Sequence, residues 1–173
     1  HTLNNHGYER TDNYYWLNNR EDENVIAYLN QENAYREAIM ADTVDFQKTL
    51  FDEMVGRIKK DDSSVPYKLD GWFYYTRFEG DKEYPFYCRK VGTLEAPEEI
   101  MLDVNQLAKG KSYYQIASIS VSPDKKMIAF GADDVGRRVY TIYFKNLQTG
   151  EILPETIPNT TGSATWAADN KTL

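Results

Sequence analysis

A spaced echo in the second half of the chain leaves few folds open to it. Ser122-Pro123-Asp124-Lys125-Lys126-Met127-Ile128 parallels Ala167-Ala168-Asp169-Asn170-Lys171-Thr172-Leu173, so that the aspartates at 124 and 169 stand 45 positions apart. A looser copy, Asp70-Gly71-Trp72-Phe73, lies further upstream. In each copy a polar turn leads into an apolar strand. A period of roughly 40–50 residues is the length of one four-stranded blade in a radial repeat of sheets.

The strands themselves point the same way. Trp72-Phe73-Tyr74-Tyr75, Met127-Ile128-Ala129-Phe130 and Tyr140-Thr141-Ile142-Tyr143-Phe144 are apolar on both faces. A strand with water on one side would alternate. These strands need cover on both sides, yet the turns between them are short enough for antiparallel hairpins. Blades stacked face to face in a β-propeller meet both demands. Strands are expected over 71–78, 84–90, 99–103, 114–121, 126–131, 138–145 and 151–157, with one helical turn within 104–110. Asp124-Lys125, Asp133-Asp134 and Thr149-Gly150 fall where turns belong. The aromatic share of 14%, with 14 Tyr and 3 Trp, suits a strand-rich chain.

The first third is different. Residues 1–20 are polar and rich in Asn, and read as an extended arm whose Tyr14-Tyr15-Trp16-Leu17 cluster docks on another element. Helical spacing follows over 22–41, through Val25, Tyr28, Leu29, Tyr35 and Ile39, with Asp22 as N-cap. A second helix is expected over 43–58, with Phe46, Leu50, Met54 and Ile58 four apart and Thr43 as N-cap. Both stripes are read as packing between the two helices. At Lys59-Lys60-Asp61-Asp62-Ser63-Ser64 the composition turns polar, ending the helical part. The expected fold class is therefore mixed α and β: an arm and helix pair over 1–64, then the antiparallel first blades of an incomplete propeller over 65–173.

Residues able to do chemistry are scarce. A Ser-His-Asp triad needs a histidine base, and the two histidines, His1 and His6, both sit on the polar arm. No Gly-x-Ser-x-Gly turn occurs; Thr161-Gly162-Ser163-Ala164-Thr165 comes nearest and lacks the second glycine. One cysteine and two histidines do not make a zinc set. Asp133-Asp134 could touch a cation, but hairpin turn chemistry explains the pair more simply. No glycine-rich phosphate loop is present. The single cysteine, Cys88, lies inside an expected strand and is read as a buried structural thiol. Thus no catalytic, cofactor-binding or metal-binding residue is assigned within these 173 residues.

Charge and hydropathy narrow the partners. The net charge of −7, from scattered acidic residues, disfavours nucleic acid and favours cationic peptides. No run approaches the ~20 apolar residues of a membrane span, so no membrane partner is expected. A lone cysteine leans towards a reducing compartment, and a cytoplasmic location is expected. His1 is not a natural start residue, so periplasmic export by a lost leader stands as the alternative. Asn159-Thr160-Thr161 and Asn170-Lys171-Thr172 match the glycosylation pattern and are read as turn composition.

Taken together, several motifs resemble one family. His6-Gly7-x-x-Arg10-x-Asp12-x-Tyr14-Tyr15-Trp16-Leu17 and Val25-Ile26-Ala27-Tyr28-Leu29 resemble the opening of the prolyl oligopeptidase family. Met54-x-Gly56-Arg57-Ile58-Lys59-x-Asp61-Asp62-x-Ser64-Val65-Pro66 is similar to its oligopeptidase B, or protease II, branch. So are Lys82-Glu83-Tyr84-Pro85-x-Tyr87-Cys88-Arg89, Glu98-Glu99-Ile100-x-Leu102-Asp103-x-Asn105 and Ala164-x-Trp166-Ala167-x-Asp169. The resemblance implies a seven-bladed propeller acting as a lid over a carboxyl-terminal α/β-hydrolase domain, on which the amino-terminal helices pack. It implies a serine-type endopeptidase cutting short peptides after Arg or Lys. The family's Ser, Asp and His lie in the carboxyl-terminal half, so none is carried over to this sequence. The joint at 59–64 becomes a candidate hinge for lid opening.

Three expectations follow. Leu173 falls where the third copy begins its apolar strand, so the natural protein is expected to be longer. The 173 residues are expected to be inactive alone, supplying packing and substrate gating; a propeller-type peptide or protein binding module without catalysis is the alternative. Open strand edges and an uncovered blade face should make them self-associate.

Overall fold

The computed structural model describes residues 1–173, which form two compact units, His1–Ile58 and Lys59–Leu173. In the first unit the arm is a hairpin. Strands β1 (Thr2–Asn5) and β2 (Tyr8–Thr11) pair antiparallel. They turn on His6-Gly7, both left-handed (φ 54° and 80°), as a two-residue hairpin loop requires. Polar strands with no apolar alternation carry little signal, which is why this hairpin reads as an extended arm. Beyond it, a single 3-10 turn at Tyr15–Asn18 presents Trp16 edge-on to Tyr28, with ring centres 5.6 Å apart. That contact is the docking expected of the aromatic cluster.

Helix α1 (Glu23–Met40) starts where Asp22 accepts from the Asn24 backbone N–H at 2.8 Å, as expected of its cap. Helix α2 (Val44–Gly56) starts differently. Thr43 is not its cap: a 3-10 turn at Ala41–Thr43 carries the helical backbone straight through, and the Thr43 hydroxyl donates to the Met40 carbonyl at 2.7 Å. A residue already in helical conformation cannot turn its side chain onto the next turn's N–H groups. The same joint overturns the packing expected between the helices. Without a reversing loop, α1 and α2 run on in sequence and form no packed interface. Phe46 is 62% exposed and Met54 60%, and Val25 is the one buried apolar side chain of this unit.

The second unit holds two four-stranded antiparallel meanders. The first comprises β3 (Tyr67–Leu69), β4 (Trp72–Arg77), β5 (Phe86–Val91) and β6 (Glu99–Asp103). Helix α3 (Val104–Leu107) follows, capped by Asp103, which accepts from Asn105 N and Gln106 N. The second meander comprises β7 (Gln115–Val121), β8 (Met127–Asp133), β9 (Tyr140–Asn146) and β10 (Ile152–Thr160). Strand β3 adds to the expected set; its three residues are too short to show a period.

The two meanders share one core. Tyr74, Met101, Leu102 and Val104 from the first side meet Ile128, Phe130 and Ala132 of β8. Each large apolar side chain so placed contributes about 1.5–3 kcal/mol of transfer free energy. Both faces of β8 are covered, as its unbroken apolar run requires: Ile128, Ala129 and Phe130 are at most 1% exposed. On its far face Gly131 abuts the chain leaving β10. A Cβ at Gly131 would stand 2.3 Å from the Gly162 carbonyl oxygen, so only glycine admits that approach. No helix is long and apolar enough to cross a membrane.

Candidate functional site

The repeat in the sequence is a repeat of hydrogen bonds. Lys125 N donates to Ser122 O at 2.9 Å, and Asn170 N donates to Ala167 O at 3.3 Å. Ser122 N donates to Met127 O, and Ala167 N to Thr172 O, both at 2.9 Å. Asp124 accepts from Lys126 N, as Asp169 accepts from Lys171 N. Lys125 and Asn170, the residues after each aspartate, are left-handed (φ 64° and 59°). The upstream copy has a shorter turn: Asp70 and Gly71 (φ 48° and 81°) are the whole of it, with Leu69 opposite Trp72.

These three corners are linked in series. The Lys125 ammonium reaches back to the Asp70 carboxylate at 2.8 Å. Asn170 Oδ1 accepts from Asp124 N at 2.7 Å. Each corner is thereby tied to the one before it. The glycosylation-like Asn170 has its side chain engaged in this link, and Asn159 (φ 58°) occupies a left-handed position at the bulged end of β10.

Beneath the corners lies a buried arginine. Arg89 is 4% exposed. Its guanidinium pairs with Glu99 through Nε at 2.9 Å and Nη2 at 2.7 Å, while Nη1 donates to Lys125 O at 2.8 Å. The Trp72 ring closes the remaining side, 4.0 Å from the guanidinium carbon. One side chain thus satisfies its charge on its own sheet and holds the turn of the next. Lys145 makes a second bridge, donating to Met101 O at 2.9 Å; burial holds its ammonium below the usual lysine range. Trp166 Nε1 donates to Ser120 O at 3.0 Å, and Ser118 Oγ to Gly162 O at 2.8 Å, fastening the segment after β10 onto β7.

The residues considered from sequence for chemistry are placed apart. The ring of His1 stacks on Tyr15, centres 3.9 Å apart, and His6 forms the hairpin turn. Ser163 is exposed on the extended crossing after β10, next to the left-handed Gly162 (φ 84°), with no helix following it. Cys88 is fully buried, and burial pushes its thiol up to about 12, with the neighbouring Glu98 adding to the effect. Such a thiol carries no thiolate at neutral pH and is inert. Asp133, 1% exposed, accepts from Val135 N, Gly136 N and Arg138 N at 2.7–2.9 Å. Burial raises its carboxyl, yet the three N–H groups outweigh burial and hold it below the usual range. Asp134 points elsewhere and pairs with Lys111 at 2.6 Å. The pair is turn chemistry. No group of three or more His, Cys, Asp or Glu side chains gathers to hold a metal ion.

The polar joint is exposed but fastened. Ser64 exchanges bonds with Thr76, giving its N–H to Thr76 O at 2.8 Å and accepting Thr76 N on Oγ at 2.9 Å. Phe78 N donates to Asp62 O, and Asp61 accepts Gly80 N at 2.9 Å. Residues 61–64 therefore lie along the end of β4 and belong to the second unit. Alongside, Arg77 grips Glu98 through Nε and Nη2 and Glu79 through Nη1, while Tyr75 donates to Glu98 at 2.6 Å. Sequence reading missed the Arg89 and Arg77 networks. Their one visible mark is the run Glu98-Glu99 facing two strand arginines, which spacing alone cannot pair.

Two meanders stacked on a common core, with corners linked in register, define blades of a β-propeller. Residues 1–173 match in full the family model for the prolyl oligopeptidase amino-terminal β-propeller domain, and the chain belongs to that family. It is 45% identical to dipeptidyl aminopeptidase BI of Pseudoxanthomonas mexicana, over 97% of this chain and 26% of that protein. It is 36% identical to protease 2 of Moraxella lacunata, over 93% of this chain and 24% of that one. The structure of oligopeptidase B from Leishmania major superposes with a TM-score of 0.82 at 33% identity, over 92% of this chain and 23% of that one. The chain therefore spans about a quarter of the length of these relatives. Among the structural neighbours the domain shares its chain with a carboxyl-terminal catalytic domain.

Proposed function

We propose that these residues are the amino-terminal and gating part of a serine oligopeptidase that hydrolyses short peptides after Arg or Lys. The observation that supports this reading is the blade seam, in which corner links and the Arg89 bridge fasten together two blades of the family's propeller domain. Residues 1–58 supply the packing surface for an α/β-hydrolase domain, and residues 59–173, which take in the polar joint, supply the first blades of the lid. In the whole enzyme a serine attacks the peptide carbonyl, a histidine moves the proton and an aspartate orients the histidine, all outside this sequence. The net charge of −7 favours the approach of basic peptides, consistent with cleavage after a cation.

The relative at 45% identity favours a second reading, in which the whole enzyme removes dipeptides from free amino termini. One experiment separates the two. A chromogenic Arg-Arg peptide is offered with its amino terminus free and with it blocked, to the 173 residues and to the full-length enzyme. Cleavage of both peptides by the full-length enzyme alone, abolished by a serine-directed inhibitor, supports the endopeptidase. Cleavage of the free form only supports the dipeptidyl activity. Cleavage by neither protein leaves a binding module, and cleavage by the 173 residues overturns the assignment of roles.

A further inference from the structure

Between the first two blades lies a cavity of about 210 Å³, which neither the corner links nor the Arg89 bridge fills. Ser64 and Tyr67, both exposed, stand at its mouth; Tyr74 and Met101, each 4% exposed, lie deepest; Ile119 and Val121 of β7 close the opposite wall. Tyr67 and Tyr74 stack there, with ring centres 5.6 Å apart, and Tyr87 extends the aromatic wall.

One polar atom in this wall lacks what buried polar atoms have. The Tyr74 hydroxyl is the single buried side-chain oxygen or nitrogen in the structure without a hydrogen-bond partner. A buried hydroxyl without a partner is destabilising, so an acceptor supplied to it is favoured. Burial pushes the Tyr74 phenol up, while the nearby Lys125 and Arg89 cations pull it the other way. Those cations present only donors. Both cations are themselves paired, Lys125 with Asp70 and Arg89 with Glu99, and the hydroxyl proton faces no acceptor.

We propose that this interblade cavity binds a small planar aromatic molecule bearing a hydrogen-bond acceptor, of the phenol class, which receives the Tyr74 hydroxyl proton. Size and surface fit this class. A cavity of roughly 150 Å³ already admits a benzene ring. Tyrosine rings and a thioether give edge and face contacts to a flat π-system. An aromatic cage of this composition would ordinarily suit a cation; here an ammonium offers only donors and cannot receive the Tyr74 proton.

The test uses the full-length enzyme, with phenol and benzylammonium as probes at millimolar concentration and ligand-observed NMR as the readout. Phenol is expected to bind and benzylammonium to give no signal. Tyr74→Phe should weaken phenol binding about three- to tenfold, the loss of one net hydrogen bond. Ile119→Trp, which fills the cavity from the opposite wall, should abolish it. A thermal melt of each variant confirms that it folds. Absence of phenol binding, equal binding of the cation, or equal affinity in Tyr74→Phe would each overturn the proposal; the first would mean that water alone completes Tyr74.

Discussion

The two compact units treat apolar surface in opposite ways. In the blades, Phe130, Ile128 and Leu102 are all but sealed from water, and the buried arginine is matched group by group. In the helices, Phe46, Phe51 and Ile58 stand more than half in solvent, on backbone that is otherwise well formed. The blade unit holds itself together by tertiary packing. The helix unit has helical backbone without a core of its own, and short helices in water draw most of their stability from packing. Similar apolar patterns therefore have different physical meanings: one records contacts made, the other contacts left open.

The sharpest way to break this contrast is to empty the blade core. Phe130→Ala is expected to cost about 3–5 kcal/mol. Denaturant unfolding followed by Trp72 and Trp166 emission should shift, while the helical circular-dichroism signal from the first unit changes little. Equal shifts in both signals would mean that the units are not separate. Next in size, Glu99→Gln leaves the buried Arg89 with a weaker acceptor and should cost about 1–3 kcal/mol by the same measurement.

Acid should widen the contrast. Because its folded pKa is depressed, Asp133 contributes stability that is fully present above the unfolded carboxylate range, about pH 4. That contribution fades as pH falls through the lower folded value. Asp133→Asn should flatten the acid limb of the blade melt; an unchanged limb would mean that other carboxylates govern it. Smaller again is the Lys125–Asp70 link, whose carboxylate is largely exposed. A double-mutant cycle with Lys125→Met and Asp70→Asn should return about 0–1 kcal/mol.

The smallest effect on stability belongs to the helices. Phe46→Ser with Met54→Gln should alter melting of the 173 residues by no more than about 0.5 kcal/mol, yet reduce their self-association in sedimentation. The strand edges are expected to contribute less to any association: β10 carries Pro154 and Pro158, and β3 has three residues. Unchanged sedimentation in the double variant would return the role to the edges.

Legibility from sequence followed the reach of each interaction. The corners at Asp124 and Asp169 could be read because the carboxylate and the turn that it caps lie within seven residues. The strand order followed from short turns. The β1–β2 hairpin was missed because its strands are polar, and β3 because it is short. Thr43 was misread because a capping residue and a through-running helix share one local pattern. The two helices were legible, but the packing expected between them is not formed, since period suggests a face and not what covers it. The Arg89 bridge, the Gly131–Gly162 approach and the Tyr74 cavity depend on one sheet meeting another, and no local signal encodes that.

The serial linking of corners bears on how genes for such blades can change length. A codon inserted between Ser122 and Met127 would displace Lys125 from Asp70 and Asp124 from Asn170 together, disturbing one seam behind the turn and another ahead of it. The exposed stretch around Val135–Val139, whose N–H groups bond the adjacent Asp133, takes part in neither link. Drift in length among descendants of this gene should therefore collect at the 134–139 bend and spare the 122–127 turn.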